Sequence, residues 1–259
     1  MIPYFELTQF HLGWFSIRVW GLLAATGFAV SFFIAWWRVK KEKLSEDVLG
    51  DLFCWLILSV LIFSRIFYVL FGGDLLLFLQ KPWLTLAIWQ GGMMSTGGFF
   101  GAALAILLFF KRRQVNPWPY LDILAYSFPF GWLFGRLACF LMHEHIGRLT
   151  NSFFAVNFPG GGRWDLGLLE LVTTLILAII FMVLSRKKQP LGFYSVFLLL
   201  WYGITRFFLD FLRATDLVGS DPHFIGLTMG QWGSAVLIFI GYFIYRRFRN
   251  KKSGGTLSQ

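Results

Sequence analysis

Residues 166–188 read LGLLELVTTLILAIIFMVLSRKK, a segment near 166–185 that is apolar but for one charge, Glu170, and is followed by Arg186, Lys187 and Lys188. At ~1.5 Å of rise per residue, a helix over this run crosses the ~30 Å of hydrocarbon in a bilayer. The basic residues behind it mark the inner end, because positively charged flanks stay on the cytoplasmic side. The same signature recurs three times. Segments near 17–37, 93–110 and 227–245 end at Arg38, Lys40, Lys41 and Lys43, at Lys111, Arg112 and Arg113, and at Arg246, Arg247, Arg249, Lys251 and Lys252. Between them, segments near 48–71, 121–141 and 191–212 run back outward. The expectation is an all-α integral membrane protein with seven transmembrane helices, its N-terminus outside and its C-terminus cytoplasmic. Barrel strands are excluded, since these runs are too long and do not alternate.

Composition agrees. Of 259 residues, 57% are hydrophobic and only 14% charged, more apolar than a soluble core requires. A net charge of +10 could suggest a nucleic-acid partner, but most of the Lys and Arg lie in the four clusters that orient the helices, so no such partner is expected. One domain is expected over 1–250, with 251–259, including Ser253-Gly254-Gly255, as a disordered cytoplasmic tail. The first residues carry Glu6 and no basic run, which argues against a cleavable signal peptide. Cys54 and Cys139 both fall within spans, so no disulfide is expected.

The longer connections lie on the outer side. Residues 72–92 are apolar and aromatic but too short to span, and are expected along the membrane interface. Residues 142–165, with Pro159-Gly160-Gly161-Gly162, are expected to form a small outer-face lobe.

Charge inside spans is expensive, which makes Arg65, Arg136, Arg206 and Arg213 candidates for function, all toward the outer level. Arg18, Glu144, Glu170 and Asp210 reach the same level from other segments. Any one arginine could snorkel or form a structural ion pair. Convergence from separate helices favours a cavity for an anionic lipid head group, whose phosphate accepts paired N–H donors. Tyr202, one turn before Arg206, could add its hydroxyl. Gly91, Gly92, Gly97 and Gly98 would allow close backbone approach at the cavity mouth, while Gly101 suits a helix contact.

The stretch Gly135-Arg136-Leu137-Ala138-Cys139-Phe140-Leu141-Met142-His143-Glu144-His145-Ile146-Gly147 resembles the signature of bacterial prolipoprotein diacylglyceryl transferases, matching it at Gly135, Arg136, Ala138, Phe140, Glu144 and Gly147. Arg18 with Gly21, Gly91-Gly92, Gly97-Gly98, Tyr202-Gly203, Arg206, Arg213, Asp216 and Met229-Gly230-Gln231 extend the resemblance over roughly 11–250. The chain departs from it at Trp20, at Cys139 and Met142 in place of asparagines, and at Thr96 in place of a histidine.

The resemblance implies a transferase of the bacterial inner membrane. It would move the diacylglyceryl group of phosphatidylglycerol to the lipobox cysteine thiol of a prolipoprotein signal peptide, releasing glycerol phosphate. Arg136 and Arg206 would stabilise the departing phosphate, with Arg213 and Arg65 as further contacts, and Glu144 and Asp210 would orient the guanidinium groups. Thr96, Gly97 and Gly98 would line the substrate site. With Thr96 in the histidine's place, His143 is the expected substitute base, and His145 the less favoured one. No cofactor is implied. No metal is expected either, since two histidines one residue apart with a single acid make a thin ligand set. A lipid or anion transporter with an arginine-lined cavity is the alternative. An intramembrane serine protease is disfavoured, because Ser95 has no histidine in its span.

Overall fold

Helix ends in this chain are set by recognisable local chemistry. In the computed structural model, which describes residues 1–12, 15–72, 75–87, 91–217 and 223–254, helix α1 covers Val19–Lys41 and α2 covers Glu46–Phe67. Ser45 caps α2 by accepting from Val48 N at 3.4 Å, and Glu46 and Asp47 sit in its positive first turn. A π-helical turn, Tyr68–Gly72, extends it. The short α3 (Leu75–Gln80) and a 3-10 turn (Pro82–Leu86) follow, then α4 (Ser95–Arg113), which stops where Gln114 turns left-handed at φ 53°. Helix α5 (Pro117–Leu141) starts on a proline, as first turns tolerate. Helices α6 (Leu166–Leu184), α7 (Phe193–Leu209), continued by a 3-10 turn (Asp210–Leu212), and α8 (Met229–Gly254) follow.

Five stretches are long and apolar enough to cross a membrane: Val19–Lys41, Glu46–Gly72, Pro117–Leu141, Leu166–Leu184 and Phe193–Leu212. The remaining two expected spans are helical, as α4 and α8, but small, polar and basic residues dilute them. Helix α4 opens on Ser95-Thr96-Gly97-Gly98 and closes on Lys111-Arg112-Arg113; α8 carries Gln231, Ser234, Arg246 and Arg247. Large apolar side chains such as Phe33, Leu58, Leu107 and Phe239 face outward, as lipid-facing positions do.

Two compact units divide the chain: Trp36–Tyr120, and Met1–Ala35 with Leu121–Gln259. In the first, α2 packs on α4. Cβ atoms at Gly97 and Gly101 would collide with α2 backbone oxygens of Phe63 and Ser59, and one at Gly98 would crowd Ser64 Oγ. The helix contact expected for Gly101 therefore extends to Gly97 and Gly98. In the second unit, α5, α6 and α7 meet at a buried aromatic cluster of Tyr126, Phe181 and Tyr194 with Ala125 and Leu177. Asp122 fastens α5 to α7 by accepting from the backbone N and Oγ of Ser195 at 2.8 and 3.0 Å.

The second unit also holds β structure that an all-α expectation omits. Strands β1 (Ile2–Pro3), β4 (Ile146–Leu149), β5 (Val156–Phe158) and β6 (Gly161–Asp165) form a sheet in the order β1-β5-β6-β4. Within 142–165 the chain thus forms three strands of a small sheet, completed by the N-terminal strand. Two hairpins, β2 (Gln9–Leu12) with β3 (Phe15–Arg18) and β7 (His223–Phe224) with β8 (Leu227–Thr228), lead into α1 and α8. Arg18 ends β3 rather than opening α1. Helix α8 continues to Gly254, so part of the expected tail is helical; 255–259 lie outside the described residues, as do 88–90 of the expected interfacial connection.

Candidate functional site

Three helices of the second unit bring their ionisable residues to one place. The last turns of α5 carry Arg136 and Cys139, the first turn and a half of α6 carries Glu170, the end of α7 carries Tyr202 and Arg206, and the 3-10 turn after it begins with Asp210, with Arg213 just beyond. Asp165 starts α6 as its N-cap, accepting from Leu168 N at 2.9 Å, and so sets the height at which Glu170 emerges. Tyr202, Arg206 and Asp210 share one face of α7 by their four-residue spacing.

The result is an alternating chain of charges. Glu170 Oε2 lies 2.7 Å from Arg136 Nη2, and Glu170 Oε1 accepts from Arg206 Nη1. Arg206 Nη2 reaches Asp210 Oδ1 at 3.3 Å, and the same oxygen accepts from Arg213 Nε at 2.6 Å. Thr228 Oγ1 donates to the other Asp210 oxygen. Glu170 and Asp210 are 4% and 3% exposed, so each acid is consumed in fixing cations. Arg136 also donates to Tyr202 Oη at 3.1 Å and lies over the Trp132 ring, 4.6 Å from its centroid. Its Nε is buried and has no acceptor among the described residues. Three guanidinium groups against two carboxylates leave the array cationic, a setting for an anion with several oxygens.

Close approach is built in. A Cβ on Gly230 would stand 2.9 Å from Asp210 Oδ2, so α8 can begin against the array only with glycine there. Gly147 is held likewise between Leu212 O and Trp164. Behind it, Arg163 donates to Gly147 O at 3.2 Å and to both carboxylate oxygens of Asp216 at 3.0 and 2.5 Å, tying the chain after α7 to the sheet.

Several expected site residues have other tasks. Arg65, in the first unit, donates Nε to Thr85 O at 2.9 Å, Nη1 to Gly91 O and Gly92 O at 2.5 and 2.8 Å, and Nη2 to Leu84 O at 2.5 Å. Its fork clamps the connection between α2 and α4, so its donors are spent on backbone rather than on phosphate. Thr96 is exposed in the first turn of α4. His143, the expected base, is buried with Nδ1 2.6 Å from Asp165 Oδ2, enclosed by the rings of Tyr4, Phe5, Phe140 and Phe158, none of them part of the charge array. Burial pushes the Asp165 carboxyl up, against the lowering effect of its hydrogen bonds from His143 and Leu168.

His145, the less favoured histidine, is the one beside the arginines. Burial first, then Arg136, Arg213 and Arg206, push its pKa down to about 3, which keeps the imidazole neutral and makes it a weak proton acceptor. Glu144 is exposed beside it, and Cys139 Sγ, a Glu144 oxygen and a His145 nitrogen lie within 4.8 Å of one another. Sequence reasoning placed Glu170 at the right level but not as the bridge between Arg136 and Arg206, and passed over Thr228. Glu170's solitary charge in an apolar run is the signal that marks it.

A family profile described as prolipoprotein diacylglyceryl transferase matches residues 8–247. A phosphatidylglycerol–prolipoprotein diacylglyceryl transferase of Pseudoalteromonas atlantica is 34% identical over 96% of this chain and 92% of its own length. Proteins with the same name from Rhizobium leguminosarum, 31% identical over 96% of this chain and 94% of theirs, and from Staphylococcus saprophyticus, 29% identical over 94% and 89%, are similar. With a profile spanning nearly the whole chain and relatives matched along most of their length, this chain belongs to the prolipoprotein diacylglyceryl transferase family.

Proposed function

We propose that the protein transfers the diacylglyceryl group of phosphatidylglycerol to the lipobox cysteine thiol in a prolipoprotein signal peptide, and that the charge array on α5, α6 and α7 receives the phosphate. The observation that carries this is Arg136: its Nε–H is buried and unpartnered while Glu170, Tyr202 and Trp132 fix the rest of the group. A buried donor held in place is matched to an acceptor that arrives with substrate.

In the reaction the acceptor sulfur attacks a glycerol carbon, the carbon–oxygen bond breaks, and its electron pair leaves on glycerol phosphate. Negative charge grows on that phosphate, and Arg136, Arg206 and Arg213 oppose it. Glu170 and Asp210 hold the cations where that charge develops, so little reorganisation is needed at the barrier. The family and the names of its relatives do not favour a lipid or anion transporter.

In this reading seven helices cross the bacterial inner membrane, α4 and α8 among them, with the charge array near the outer level and the C-terminus cytoplasmic. The test is a mass assay of a lipobox peptide incubated with purified protein and phosphatidylglycerol. The mass gain of one diacylglyceryl group is expected with wild type and is lost in Arg136→Ala; an unmodified peptide with folded wild type would rule the reading out.

A further inference from the structure

Cys139 stands in the last turn of α5, within reach of two other donors of metal-ligand type. Its Sγ, a Glu144 carboxylate oxygen and a His145 ring nitrogen lie within 4.8 Å of one another. The backbone holds the three together: Cys139 O accepts from Glu144 N at 3.2 Å, and His145 O accepts from Leu166 N at 2.9 Å, on the first residue of α6. The two histidines and one acid of the sequence motif alone are a thin set. The fold adds a cysteine and releases His143 to its aromatic cage.

We propose that Cys139, Glu144 and His145 form a three-ligand site for a zinc ion, which takes the acceptor thiol as its fourth ligand in the form of a thiolate. One sulfur, one imidazole nitrogen and one carboxylate oxygen are all ordinary zinc donors, and three protein ligands with an open fourth position is the pattern of a catalytic zinc site. The burial gradient supplies the open position, since Cys139 is buried, His145 half-buried and Glu144 exposed.

Charge decides whether a dication is tolerable beside three arginines. Glu170 and Asp210 cancel two of those cations. A Cys139 thiolate and the Glu144 carboxylate then bring two negative charges, which the zinc ion balances. With zinc bound and before the acceptor thiolate joins it, the site carries a single excess positive charge, suited to an arriving phosphodiester.

The inference rests on the transferase reading for its use, though not for the site itself. The acceptor thiol gives up its proton to solvent on binding zinc, because a coordinated thiol is deprotonated outright. Its sulfur then forms the bond to the glycerol carbon while the carbon–oxygen bond breaks toward the phosphate held by Arg136 and Arg206. With His143 enclosed, this provides the thiolate without a histidine base.

The test uses the full chain in detergent. Metal content is measured after loading with zinc and removing excess, and Co2+ is used as the spectroscopic probe. One metal per chain is expected, with a thiolate-to-cobalt charge-transfer band that is lost in Cys139→Ser and His145→Ala, is kept in Cys54→Ser, and grows when lipobox peptide adds its sulfur. Since Cys139→Ser could fold poorly, the growth of the wild-type band with peptide stands as a second reading. No bound metal, binding that survives both ligand substitutions, or a band unchanged by peptide would overturn the inference. A metal-free enzyme that modifies the peptide at full rate overturns the zinc site and keeps the activity. A Cys139-dependent cobalt centre in a protein that modifies no peptide upholds the site and counts against the activity.

Discussion

Glu170 lies 2.7 Å from Arg136 with one carboxylate oxygen and engages Arg206 with the other, so one buried acid on α6 couples the arginines of α5 and α7. Removing it takes the paired carboxylate from the buried Arg136 and one of the carboxylates from the half-buried Arg206. Glu170→Ala is expected to cost about 3–5 kcal/mol of stability. Glu170→Gln keeps the shape, retains a hydrogen-bond acceptor and loses less. Thermal midpoints in detergent check the order, wild type above Gln above Ala; equal midpoints would mean that the bridge contributes nothing.

In the proposed reaction Arg136 and Arg206 would oppose charge through oriented forks, which a lysine cannot reproduce. Arg136→Ala is expected to lower the rate of peptide modification ~10²–10³-fold, and Arg136→Lys to recover only part of it. Rates are compared at matched folded fraction, by the peptide mass assay. Full activity in Arg136→Lys would show that a point charge suffices and that the geometry of the fork is irrelevant.

Arg65 makes the contrasting case. It holds four backbone carbonyls of its own unit, so Arg65→Ala leaves those acceptors without their donor and is expected to destabilise by about 3 kcal/mol. Its effect on turnover should follow the loss of folded protein. A stable Arg65→Ala whose rate falls as far as that of Arg136→Ala would return Arg65 to phosphate binding.

These contrasts mark what could be read from sequence. The apolar runs and their basic ends locate helices closely: 166–185 is α6, Leu166–Leu184, and 191–212 is α7 with its 3-10 continuation to Leu212. Position along each helix is legible in the same way, and Arg136, Arg206 and Asp210 do meet in one array. Rotation about the helix axis is not, because it depends on the packing of neighbours. Arg65 and Arg136 therefore look alike in sequence, yet one meets carbonyls and the other carboxylates. The pairing of Ile2 with Val156 joins strands from distant parts of the chain and leaves no local periodicity to detect. His143 and His145 are separated by one residue, and only the left-handed turn at His143, φ 49°, with Asp165 and the four rings around it, tells them apart.

The Arg163–Asp216 pair makes the stability of the sheet depend on pH. The hydrogen bond from Arg163 holds the Asp216 carboxyl below its ordinary value. A lowered folded-state pKa contributes stability that is present above the unfolded value, near ~4, and is lost as pH falls through the folded one. The pair is solvent-exposed on the Asp216 side, so its contribution is small, but Arg163 is buried and also holds Gly147 O, which places the effect at the junction of the sheet with the chain after α7. Asp216→Asn is expected to lower the thermal midpoint by a constant amount from pH 8 to about 5. The difference should shrink toward zero below about 4, as wild-type Asp216 takes up its proton. A difference that persists unchanged at low pH would mean that the asparagine acts through the backbone turn rather than through the lost ion pair.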